Sequence, residues 1–107
     1  MSERRLAERM KVSLKSQWEG ALARQHGEIV DLSATGCFVL TDDKVNLGEL
    51  IRIEIELFEG KWVYMWGEVV YQIKEMGFAL CFTGSVDDQY NSLLEFIRWG
   101  KVFNREG

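Results

Sequence analysis

Residues 50–73 read LIRIEIELFEGKWVYMWGEVVYQI, and the period of this run decides the fold class. Ile51, Ile53, Ile55 and Leu57 fall on one side, and Arg52, Glu54 and Glu56 on the other. Strict alternation marks an antiparallel strand with one face in a core and one in water. The segment FEGK places Gly60 in a turn, and Trp62–Ile73 returns as a second strand. The two halves are expected to form a long hairpin. Outward from it, residues 12–18, 27–33, 36–41 and 77–82 are further strand candidates, with glycines punctuating the gaps and no proline anywhere. Short strands at close spacing with glycine turns predict a closed barrel or a sandwich.

After Gly84 the period changes. In SVDDQYNSLLEFIRW, residues Tyr90, Leu93, Leu94 and Ile97 make one apolar stripe at helical spacing. Ser85 and Asp88 are spaced like a helix N-cap with an acidic third residue. The expected fold is all-β, a six-stranded antiparallel β-barrel closed or covered by one C-terminal α-helix. Its expected parts are an N-terminal arginine arm over residues 1–11, a barrel over 12–84 and a helix over 85–103.

The 107 residues, 47% hydrophobic and 28% charged, suffice for one core and leave no room for a second domain. The net charge of −4 is unevenly spread. Residues 1–24 carry six basic side chains against three acidic ones, a balance of +3, so the remainder sums to −7. A basic arm on an acidic body is ill suited to a nucleic-acid polymer, which the body repels. It suits a small, discrete anion held locally. The N-terminus is charged where a signal peptide needs an apolar run, and no apolar segment is long enough to span a bilayer. A cytoplasmic protein without membrane insertion is expected.

No catalytic constellation stands out, so an enzyme is not expected. His26, the single histidine, is expected in a solvated loop, with no recognisable nucleophile motif to serve. The pairs Asp42–Asp43 and Asp87–Asp88 suit a turn and a helix N-terminus. Cys37 and Cys81 lie apart, each among apolar neighbours, and are expected to be small buried hydrophobes in strands rather than metal ligands. Neither a metal nor a cofactor is expected.

Two short patterns favour binding. Arg5 and Arg9 stand in R-x-x-x-R spacing, with Arg4 beside them. A guanidinium is a planar fork of donors that matches a phosphate and the O6/N7 edge of guanine. The plainer reading is a solvated charged terminus. Asp31, Ser33 and Gly36 then form D-x-S-x-x-G in DLSATG, at the end of a strand. A carboxylate accepts two parallel bonds from the N1–H and N2–H₂ edge of guanine. A serine offers an adaptable hydroxyl, and a glycine permits a positive φ and close backbone approach. The plainer reading here is a turn built by Asp and Ser.

In this order and spacing, Arg5-x-x-x-Arg9 and Asp31-x-Ser33-x-x-Gly36 resemble the PilZ domain, a family of bacterial receptors for the second messenger cyclic di-GMP. GEVVYQIKEMGFALCF, residues 67–82, resembles the family's later strand pair, and the likeness spans about residues 4–98. The resemblance implies a six-stranded barrel with the ligand on its outside and the arm wrapped over it. Arg5 and Arg9 would contact phosphate and a guanine Hoogsteen edge; Asp31 and Ser33 would read a guanine edge; Gly36 would shape the turn. The family often carries a proline shortly after the second arginine, where this chain has RMKVSL. With Leu6 and Met10 as its only apolar anchors, the arm is expected to be mobile until ligand orders it.

The resemblance thus implies a stand-alone cyclic di-GMP receptor or adaptor, changing its surface on binding to regulate an unidentified effector protein in trans. The alternative is a PilZ-like interaction module that does not bind nucleotide. On the second hairpin strand, Trp62, Tyr64 and Trp66 alternate with Val63 and Met65, so both faces are apolar. One face fills the barrel; the other either lies under the helix or a neighbouring strand, or meets a partner. Trp99, Val102 and Phe103 extend the helix's apolar character and could meet an effector or a second copy of the chain in a homodimer.

Overall fold

The computed structural model describes residues 9–21, 24–58, 60–85 and 88–106, with side chains through residue 100. Six strands, β1 (Met10–Glu19), β2 (Arg24–Leu32), β3 (Gly36–Leu40), β4 (Leu50–Phe58), β5 (Lys61–Ile73) and β6 (Gly77–Ser85), precede one helix, α1 (Gln89–Glu106). The strands close into an antiparallel barrel in the order β1-β2-β3-β6-β5-β4, with β4 returning to β1. The hairpin read from residues 50–73 is the β4–β5 pair, turning at Gly60, whose φ of 80° suits a residue without a side chain.

Alternation decides the core. Ile51, Ile53, Ile55, Val63 and Met65 are buried inside the barrel, while Arg52, Glu54, Tyr64 and Trp66 face out. Trp18 packs edge-on against Phe78, with ring centroids 5.1 Å apart, both rings in the core. Closure at the β1–β4 seam rests on Ser16–Glu19 pairing with Arg52–Ile55. The helix lies against the barrel through Leu93 and Ile97, both buried, and through Phe96, whose ring meets Phe58 edge-on at 5.2 Å. Phe96 rather than Leu94 thus makes this contact.

Several local expectations shift. β1 begins at Met10, a buried core residue, so the chain enters the barrel there and not at residue 12. β6 runs on to Ser85, so Ser85 ends a strand, and the helix starts at Gln89 with the Asp88 carbonyl accepting from Asn91 N and Ser92 N. His26 lies in β2 opposite Gln17 and not in a loop, because the β1–β2 hairpin is longer than its alternation suggested; it is still exposed. Cys37 is buried as expected, but Cys81 is exposed, because β6 turns it outward between Gly36 and Glu68. No described helix is long and apolar enough to cross a membrane.

Candidate functional site on the outer barrel wall

Asp31 reaches the barrel's exterior through a break in the pleat. Along β2, Ile29 and Leu32 are both fully buried, three residues apart, where strict alternation would put Asp31 beside Ile29 on the core side. The β2–β3 register shifts between Ile29 and Asp31, so Ile29 faces Val39 while Asp31 faces Phe38. A bulge of this kind re-aims a side chain at the cost of one ladder position. Asp31 is thereby half-exposed, its side chain retaining 31% of its accessible surface.

Arg9, at the mouth of β1, meets it there. Arg9 Nη1 donates to Asp31 Oδ2 at 3.1 Å across 22 residues of sequence. The negative charge of Asp31 and this hydrogen bond raise the Arg9 guanidinium above its ordinary pKa, with a smaller contribution from the Tyr71 hydroxyl beside it. The two sequence motifs therefore converge on one spot of the outer wall. Arg5, the other arginine of the expected grip, lies outside the described residues, as does Arg4 beside it.

The turn after Asp31 is held from within. Ser33 is only 4% exposed, and its Oγ accepts from Thr35 N at 3.1 Å and Gly36 N at 3.2 Å. The Ser33 backbone N–H donates to the Gly36 carbonyl at 2.9 Å. The hydroxyl read as an adaptable ligand contact is thus turned inward and spent on the turn itself, a serine-built turn of the plainer kind.

Gly36 also departs from expectation. Its φ is not positive, unlike those of Gly48 and Gly60. It is a strand residue opposite Cys81, and a Cβ there would run into the Leu80 backbone carbonyl of β6. Glycine is required for the approach of two strands, not for a left-handed turn.

Two further bonds fasten the turn to the rest of the fold. Phe82 N donates to the Thr35 carbonyl at 2.8 Å, and the Tyr90 hydroxyl of α1 donates to the Ala34 carbonyl at 2.8 Å. Tyr90, placed in sequence only as part of an apolar stripe, thus ties the helix's first turn to the middle of DLSATG. Beside it lies a recess of about 370 Å³ lined by Ala34, Thr35, Phe82 and Tyr90 among others.

The row of outward residues level with Asp31 extends across the sheet. Lys11 pairs with Asp31, Asp31 with Phe38, Phe38 with Ala79, and Ala79 with Tyr71. Tyr71 owes its outward aim to a second register shift, between Val69, which is buried, and Tyr71, which is exposed. Strand alternation read from sequence missed this residue. The signal available was the adjacent apolar pair Val69–Val70, which interrupts the period-2 pattern as Ile29–Val30 does before Asp31.

Arg9, Asp31 and Tyr71 thus make a charged and aromatic patch on the outside of a closed barrel, beside a fastened turn. Among the described residues no cluster of His, Cys, Asp or Glu could hold a metal ion. The chain belongs to the PilZ domain family, whose model matches residues 3–99. In structure it is similar to the Bacillus subtilis inhibitor of motility, MotI/DgrA, with a TM-score of 0.72 and 21% identity over 90% of this chain. The match takes in 50% of that protein, so this chain spans about half its length. It is likewise similar to the PilZ domain of CeSA from a cellulose-synthesizing bacterium, with a TM-score of 0.65, 18% identity, and coverage of 94% of this chain and all of that one. No curated protein matches the chain in sequence.

Proposed function

We propose that the chain binds cyclic di-GMP on the outer barrel wall and passes the event to a partner protein. The observation that carries the reading is the Arg9–Asp31 contact at 3.1 Å. It joins one residue from each motif, far apart in sequence, at a solvent-facing place.

The roles follow from the chemistry. Arg9, with Arg5 from the arm, takes phosphate oxygens or the O6/N7 edge of a guanine, because a guanidinium presents parallel donors. Asp31 accepts from guanine N1–H and N2–H₂; a carboxylate with one oxygen already on Arg9 keeps lone pairs for that edge. Ser33 and Gly36 act one step back. The serine oxygen and the close β3–β6 approach hold the turn, so Asp31 does not pay for ordering when ligand arrives. The acidic remainder of the body disfavours a longer polyanion.

Output runs through α1. The Tyr90–Ala34 bond joins the ligand turn to the helix, so a shift of the turn reaches the helix's exposed side, which a partner can read. That a structural neighbour is an inhibitor of motility accords with output through a partner.

The test is calorimetry of the whole chain with cyclic di-GMP, GTP and a short single-stranded DNA. Cyclic di-GMP alone should give saturable heat. Arg9→Ala or Asp31→Ala should weaken it by about 2–4 kcal/mol, roughly 30- to 1000-fold. Affinity unchanged in both variants would discard the site; absence of heat with wild-type protein would leave the nucleotide-free interaction module as the function.

A further inference from the structure

The Arg9–Asp31 contact has an aromatic neighbour that neither motif contains. Tyr71 stands in the same outward row, with Ala79 between it and Phe38. Side chains two strands apart are normally about 10 Å from one another, twice the strand spacing. Here the Tyr71 and Phe38 ring centroids are 6.1 Å apart, tilted by 38°. The small Ala79 leaves the gap over which the two rings lean.

Phe38 is 8% exposed and Tyr71 42%. One ring is therefore buried as a prop, and the other rests on it and stays open to solvent. The Tyr71 hydroxyl lies beside the Arg9 guanidinium, the group that also holds Asp31. A flat apolar face, a carboxylate and a guanidinium thus converge at one place. A purine nucleotide offers the complementary set: a π-face, a polar edge and an anion.

We propose that Tyr71 is a ligand-binding residue of the site, its propped ring carrying one purine of the ligand face-on while Asp31 reads that purine's edge. The proposal rests on the cyclic dinucleotide reading above and adds the stacking surface to it. The bulge between Val69 and Tyr71 is the device that supplies it, because an unbroken β5 would aim residue 71 inward. Base–aromatic stacking contributes about 1–3 kcal/mol per base.

The experiment compares wild type, Tyr71→Phe and Tyr71→Ala by calorimetry with cyclic di-GMP, each variant first checked for folding by far-UV circular dichroism. Tyr71→Ala should weaken binding by about five- to a hundredfold, and Tyr71→Phe should restore it to within about threefold of wild type. In a wild-type titration followed by NMR, the Tyr71 ring protons should move upfield under the purine's ring current, which a merely structural tyrosine would not do. Undiminished affinity in Tyr71→Ala overturns the proposal while leaving the binding site standing. A loss in Tyr71→Phe as large as in Tyr71→Ala also overturns it, since the hydroxyl and not the ring would then matter. Absence of wild-type heat overturns both readings together.

Discussion

Replacing Gly36 by alanine puts one carbon where β6 has a backbone oxygen. The added Cβ would overlap the Leu80 carbonyl oxygen and press on Leu80 C at 3.2 Å and Cys81 Cα at 3.4 Å. All three are main-chain atoms held in the β3–β6 ladder, so no flexible side chain can move aside. Relief requires β3 and β6 to part, next to Leu80 and Val39, which are nearly or fully buried. Overpacking typically costs about 1–3 kcal/mol, and a clash with backbone belongs near the upper end, about 2–3 kcal/mol. At roughly 4 °C per kcal/mol for a domain of this size, the midpoint of thermal unfolding should fall by about 8–12 °C. The assay is circular dichroism melting without ligand, where any role of Gly36 in ligand contact is silent. A Gly36→Ala variant melting within 2 °C or so of wild type, on the same scale, would refute the packing argument and return the glycine to the ligand.

Two other outcomes follow from contacts around the turn. Tyr90→Phe keeps the ring but removes the bond to the Ala34 carbonyl, so stability should drop by about 1 kcal/mol and the Thr35 and Gly36 amides should exchange faster with deuterium; unchanged exchange would sever the proposed link from turn to helix. The two thiols should differ: an aqueous thiol reagent should label exposed Cys81 in the native protein and Cys37 only on unfolding. Burial, with the Asp31 charge adding to it, pushes the Cys37 thiol well above its ordinary range. The folded state therefore keeps its proton where an unfolded cysteine, near pKa 8.5, gives it up. Its contribution is whole below about pH 8.5 and declines as pH rises further, by at most about 1.4 kcal/mol per unit. Urea midpoints between pH 8 and 10 should fall more steeply for wild type than for Cys37→Ala, and parallel slopes would contradict this.

The barrel was legible in sequence because its strongest signal is local. In LIRIEIELF each side chain's face follows from its position in the pleat, and water and core then sort Ile from Glu without reference to any other strand. The helix was legible for the same reason, its stripe recurring at the period of its own backbone. The motif residues were legible as types, since guanidinium and carboxylate chemistry travels with the residue. Their orientations were not, and Ser33, Gly36 and Tyr71 show why.

By itself, then, the chain's pattern of apolar and charged residues determined six strands, the inside face of the one in LIRIEIELF, a covering helix and the presence of an acid and arginines in suggestive spacing. Only the assembled barrel decided that Asp31 and Tyr71 look outward, that Ser33 looks inward and that Gly36 serves a strand contact. The physical reason is that bulges and close approaches depend on register between strands far apart in sequence. A period-2 pattern within one strand does not contain the partner against which that register is measured.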